Sequence, residues 1–101
     1  MARRIIWTKA AQKSRRRILE YWVEKNQTKS YSHKLNDLII QSLKLISVYP
    51  NIGKPTNIRQ VRIKVIKKYF LIYEVTRTEI VVLTLWDCRQ NPEDLKRILG
   101  V

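Results

Sequence analysis

The sequence predicts an α+β fold: a helical hairpin packed on one face of a small, mainly antiparallel sheet, in the order β-α-α-β-β-β, with room for a short C-terminal helix. Three observations carry this. Gln60–Ile66, Tyr69–Val75 and Glu79–Trp86 are three strand-like runs in succession. The links Lys67-Lys68 and Thr76-Arg77-Thr78 leave no space for crossover helices, so these strands are antiparallel neighbours. Ahead of them lie two helical periodicities joined by a tight polar connection, which makes a hairpin of helices.

Taken in order, Arg4–Trp7 is a short first strand. Thr8 is placed to cap a helix from Lys9 to Lys25, where Ala11, Ser14, Ile18, Tyr21 and Trp22 recur at three- and four-residue spacing as a stripe. Asn26-Gln27 breaks the pattern, and Thr28 or Ser30 can cap the second helix. The stripe of that helix is Tyr31, Leu35, Leu38, Ser42, Leu45 and Tyr49, widened by Ile39 and Ile46. Pro50 ends it, because the ring offers no N–H to the helical ladder and restricts Tyr49 before it. Asn51–Arg59 is a loop that holds the breakers Gly53 and Pro55.

In the strand that follows, Val61, Ile63 and Val65 share one face, with Arg62 and Lys64 on the other. In the next, Tyr69, Leu71, Tyr73 and Val75 share a face opposite Phe70, Ile72 and Glu74. Ile80–Trp86 is apolar on both faces, as a covered central strand is. One sheet face meets the helices, and the expectation is that Arg62 and Lys64 line the other, uncovered one. Asn91 as N-cap and Pro92 at the first position open a short helix over Glu93–Leu99.

A chain of 101 residues corresponds to one domain, 1–101, with one modest core. With 45% hydrophobic residues and three Trp it is not a disordered tail, although 29% of residues are charged. The formal net charge of +13 repels the chain from itself and draws it to polyanions: nucleic acid, ribosome, anionic lipid or an acidic protein. Lys54, Arg59, Arg62, Lys64, Lys67 and Lys68 fall within fifteen positions that contain no acid, which marks a candidate polyanion or partner surface. Cys88 is the only cysteine, so no intrachain disulfide forms. The apolar run at the N-terminus ends at Thr8, short of a signal-peptide core, and no stretch is long enough to span a bilayer; a cytoplasmic location without membrane contact is expected.

In this order the pieces resemble the RelE/ParE superfamily of toxins from type II toxin–antitoxin systems. The resemblance covers roughly Ile5 to Leu95. It rests on Trp7-Thr8 with Ala10-Ala11, on Ile18 with Tyr21-Trp22, on Tyr31 and Leu35, and on Pro50-Asn51-Ile52-Gly53. Further along it rests on Arg62, on Tyr69-Phe70-Leu71-Ile72-Tyr73, and on Leu85-Trp86-Asp87-Cys88-Arg89-Gln90-Asn91-Pro92. The resemblance implies a small cytoplasmic, growth-inhibiting toxin of the kind linked to plasmid stabilization, neutralised by a cognate antitoxin whose segment lies across its basic surface. RelE-like members cut mRNA in the ribosomal A site; ParE-like members block DNA gyrase without breaking a bond themselves. The long hairpin and Pro50-x-x-Gly53 look like the ParE pattern. Arg62 and Lys64, on the strand where RelE-like members keep lysines, and Arg89 after the last strand look like the RelE set, whereas Phe70 and Leu95 stand where that set has an arginine and a tyrosine.

RNA cleavage through the 2′-OH requires a base, an acid and cations on the phosphate. Arg62, Lys64 and Arg89 are the candidates for the cations, and together with Lys54, Arg59, Lys67 and Lys68 they form the candidate antitoxin- or target-binding set. His33 sits beside Lys34 in the first turns of the second helix, away from the strands, and reads as a partly exposed helix residue rather than a base. Asp87, close to Arg89, could serve as the base, but it reads more readily as a partner that fixes the strand exit through Arg89. The Arg15–Arg17 run reads equally as a solvated helix face or a contact surface, and Trp22, Trp86, Tyr69 and Tyr73 read as core. One Cys and one His make no metal ligand set, there is no Gly-rich phosphate loop, and no cofactor is implied. Gyrase inhibition, ribosome-dependent mRNA cleavage and a non-toxic basic interaction module are the three readings the sequence carries forward.

Overall fold

Two helices cover a five-stranded mixed sheet. The elements are β1 (Arg4–Trp7), α1 (Lys9–Asn26), α2 (Ser30–Val48), β2 (Lys54–Pro55), β3 (Val61–Ile66), β4 (Tyr69–Val75) and β5 (Glu79–Asp87), with a 3₁₀ turn at Pro50–Ile52. The computed structural model describes residues 2–90 together with Glu93, Leu95 and Arg97. The sheet order is β1-β5-β4-β3-β2: β1 runs parallel to β5, and every other pair is antiparallel. The expected α+β class, the helical hairpin and the antiparallel succession β3-β4-β5 are all present.

Thr8 caps α1 as expected, accepting the Ala11 N–H at 3.1 Å, while its own hydroxyl donates to the Val82 carbonyl at 2.8 Å. The cap thus ties the helix start to β5. Gln27 closes α1 in the left-handed region (φ 57°) and the hairpin turns there. α2 begins at Ser30 after Lys29, and neither Thr28 nor Ser30 is its N-cap; instead Thr28 Oγ1 takes the Ser30 N–H at 3.0 Å. Asn51–Arg59 is also more ordered than a loop, since Lys54 and Pro55 pair with Ile63 and Arg62. Pro55 is tolerated because β2 is an edge strand.

The main core lies between the helices and the sheet. It contains Ala11 and Trp22 of α1, Leu35, Ile39, Leu43 and Ile46 of α2, and Ile66, Tyr69, Leu71, Tyr73, Ile80, Val82 and Leu85 of the sheet. The α2 stripe is therefore centred on Leu35, Ile39, Leu43 and Ile46, rotated from the expected one, and Leu45 and Tyr49 are exposed. Trp22 is buried with its Nε1–H donated to Tyr69 Oη at 2.7 Å, so the largest side chain of α1 enters the core with its polar atom satisfied. The β4–β5 register shifts by one between Ile72 and Tyr73, opposite Leu83. That bulge lets Val82 and Leu85, an odd number of positions apart, enter the same core.

The orientation of β3 corrects the sequence reading. Arg62, Lys64 and Ile66 are directly opposite Tyr73, Leu71 and Tyr69, all three in the helix-side core, so Arg62 and Lys64 belong to the face the helices cover. Val61 and Ile63 point the other way, into a second cluster with Ile72 and Leu95, against which Phe70, Leu83 and Trp86 pack. Alternation shows which residues share a face, not which face meets the helices, and here both faces of the sheet are apolar. Glu93, Leu95 and Arg97 are helical. The expected cap Asn91, Pro92 at the first position and the helix end at Leu99 lie outside the described residues.

Candidate functional site

At one end of the sheet, Arg62 is tied to the segment that follows α2. Its Nη1 donates to the carbonyls of Gly53 at 2.7 Å and Asn51 at 3.2 Å. Tyr73, its cross-strand neighbour, accepts the Gly53 N–H at 3.0 Å and donates to the Pro50 carbonyl at 2.8 Å. Burial raises the Tyr73 phenol above its ordinary value, and the Gly53 N–H and the Arg62 charge oppose that only in part. Lys54 lies on β2, whose next residue pairs with Arg62, and Arg59 is exposed in the turn before β3. Lys64, further along β3, is half-buried.

The other basic residues gather at the opposite end. Lys67 and Lys68 form the β3–β4 turn, with Lys67 in the left-handed region (φ 56°), and the Lys68 carbonyl takes the Cys88 N–H at 2.9 Å. Asp87 is opposite Tyr69, and Arg89 follows it. Arg89 Nε and Nη2 donate to the two Asp87 carboxylate oxygens at 3.1 and 2.8 Å, and the Arg89 backbone N–H adds a third bond at 2.8 Å. These hydrogen bonds hold the Asp87 carboxyl below its ordinary value, and they raise the Arg89 guanidinium further. Asp87 is therefore a weak proton acceptor at neutral pH. Burial pushes the Cys88 thiol up, away from thiolate chemistry.

The seven basic residues singled out in the sequence thus form two groups, with Lys64 between them. Arg62 and Lys67 are five strand positions apart, roughly 16 Å. Arg89 does not meet Arg62 or Lys64. It joins instead a recess of about 480 Å³ between α1 and the ends of β4 and β5, lined by Ser14, Arg17, Ile18, Tyr21, Tyr69, Leu85, Asp87, Arg89 and Gln90. The sequence carried a signal for its helical wall, since Ser14, Ile18 and Tyr21 share one face of α1, yet Tyr21 is 42% exposed rather than core. Arg15, within the same basic run, is committed elsewhere: it lies over the Trp7 ring at 4.8 Å and donates to Asn36 at 2.9 Å. His33 is exposed on α2. Among the described residues no group of three His, Cys, Asp or Glu side chains is arranged to hold a metal, and no helix is long and apolar enough to cross a membrane.

The architecture has a counterpart among solved structures. A chain of the chromosomal ParDE TA system from P. aeruginosa superposes with a TM-score of 0.71 at 18% identity, covering 85% of this chain and 96% of that one. At that identity the likeness concerns the fold. No curated protein matches the sequence. The profile described as "ParE toxin of type II toxin-antitoxin system, parDE" matches residues 5–92, from the first strand through the Asp87–Arg89 exit. With the hairpin, the sheet order and nearly the whole sequence in agreement, the chain belongs to the ParE toxin family of type II toxin–antitoxin systems.

Proposed function

We propose that the protein inhibits growth by binding DNA gyrase in the cytoplasm and that a cognate antitoxin neutralises it. Membership of the ParE family supports the reading, and the observation that carries it is how the ionisable groups are spent. Asp87 is locked to Arg89, and Arg62 donates to backbone carbonyls, so the residues closest to an acid–base pair act as struts. Such a surface suits inhibition by contact. The antitoxin would present acidic residues to the Lys54, Arg59, Lys64, Lys67 and Lys68 side chains of this chain, whose net charge is +13. The test is plasmid supercoiling by purified gyrase with increasing amounts of the purified chain. Loss of supercoiling, restored by the antitoxin, is expected; full activity at a large molar excess of the chain overturns the reading.

The alternative is a ribosome-dependent mRNA endoribonuclease, favoured by the Arg17, Lys68 and Arg89 cations around the recess. Pulse-labelling in the first minutes after induction separates the two. DNA synthesis falls first if gyrase is the target, and protein synthesis falls first if the ribosome is. Normal growth on strong expression without antitoxin would identify an inactive interaction module.

A further inference from the structure

The recess beside Arg89 has the construction of an anion receptor, with donors on three separate elements. Tyr69 is 2% exposed and lines the recess; its oxygen accepts the Trp22 N–H at 2.7 Å, which leaves the hydroxyl hydrogen to be donated. Arg89 uses Nε and Nη2 on Asp87, which fixes the guanidinium plane and leaves Nη1 outside that pair. Arg17 comes from α1 on the opposite wall. Because Arg89 matches the Asp87 charge, Arg17 leaves the recess positive, and Lys68 is close enough to help hold the Asp87 carboxyl low. Ile18 and Leu85 supply an apolar lining, and the Tyr21 ring is exposed beside them with Lys25 Nζ 6.0 Å from its centroid. The volume of about 480 Å³ falls within the range of small-ligand sites.

We propose that this recess binds a nucleotide, its phosphate held by Arg17, the Tyr69 hydroxyl and Arg89 Nη1, and its base resting on Tyr21. A carboxylate offers two oxygens in one plane, whereas a phosphate offers three to donors arriving from three walls. The exposed tyrosine ring adds a stacking surface that an acidic side chain does not use. The proposal concerns a ligand of the toxin and holds whichever enzyme the toxin inhibits. The nucleotide is either free or part of a strand.

Calorimetric titration of the purified full chain tests it, with adenosine monophosphate, inorganic phosphate, a 5′-phosphorylated single-stranded decanucleotide and a hexaglutamate peptide as probes. One nucleotide binds per chain, more tightly than inorganic phosphate, and Tyr21→Leu removes that advantage. Arg17→Ala, a change at an exposed position, weakens nucleotide binding about tenfold, and Tyr69→Phe weakens it severalfold while keeping the ring. The variant Arg77→Ala removes the same kind of charge from an exposed position in the β4–β5 turn, at the opposite end of the strands, and binds as the parent does. A decanucleotide that binds tighter, with affinity falling steeply in salt, assigns the ligand to a strand; equal affinity assigns it to the free nucleotide. Equal weakening by Arg17→Ala and by the remote Arg77→Ala overturns the proposal. So does hexaglutamate binding more tightly than the nucleotide, which would make the recess a peptide site.

Discussion

The Tyr73 hydroxyl is bonded on both sides by the segment that leaves α2: Gly53 N–H donates to it at 3.0 Å and it donates to the Pro50 carbonyl at 2.8 Å. Gly53 sits here for space rather than for backbone freedom, since its φ is −73°. A Cβ added to it would meet Tyr73 Oη, with Tyr73 Cε1 at 2.9 Å and the Ile63 carbonyl at 3.0 Å. The Pro50-x-x-Gly53 signature therefore has a physical meaning: it is the seat of a core tyrosine.

Gly53→Ala should destabilise the fold by about 2–3 kcal/mol, because rigid neighbours on β3 and β4 must shift. Tyr73→Phe should cost about 1–2 kcal/mol through the lost hydrogen bonds. The double variant should be less destabilised than the sum, since Phe removes the oxygen that the new methyl meets. Urea unfolding of the three variants measures this, and strict additivity would count against the contact.

Arg62 and Lys64 separate a strut from a surface charge. Arg62→Ala should lower stability by about 1 kcal/mol, as two carbonyls lose their donor. Lys64 makes no hydrogen bond among the described residues, and Lys64→Ala should stay within about 0.5 kcal/mol. Equal losses of stability would refute the assignment. If Arg62→Ala abolishes toxicity at unchanged stability, Arg62 is a target contact instead.

Asp87 sets an acid limb on stability. Its carboxyl is held below the ordinary 3.8 by Arg89, so its contribution is full above that value and disappears as pH falls through the lower value of the folded state. Asp87→Asn should therefore be less stable than the parent at neutral pH, and the two should converge in strong acid. Parallel curves over the whole range would show that Asp87 contributes no charge-dependent stability.

The alkaline limb belongs to the core tyrosines. Burial raises both Tyr69 and Tyr73 above 10.0, so the stability tied to their neutral form is present below pH 10 and is lost as pH rises through their higher folded values. In a titration of phenolate absorbance, two of the five tyrosines should lag until the protein unfolds. Tyr73→Phe should leave one such lagging group.

If a cognate antitoxin neutralises the chain through an acidic segment, as proposed, their association should be fast and strongly salt-dependent, because the chain carries a net charge of +13. The association rate measured between low and physiological salt should fall steeply while the dissociation rate changes little. A flat response would mean that apolar contacts, and not the positive charge, guide the encounter.

The residues alone disclose the order of the helices and the main strands, though not β2, together with the Thr8 cap, the antiparallel succession of β3, β4 and β5, and the burial of Trp22, Tyr69 and Tyr73. Each follows from local spacing or from links too short to permit anything else. That Arg62 and Lys64 belong to the helix side emerges from the packing, because strand alternation is symmetric between faces and a second apolar cluster around Leu95 covers the other side. Packing also separates Arg89 from Arg62, since the register puts them at opposite ends of the strands, and joins Arg89 to Arg17 and Tyr21 of α1. Those groups are far apart in the chain, and no local pattern encodes a meeting that depends on how a helix lies across a sheet.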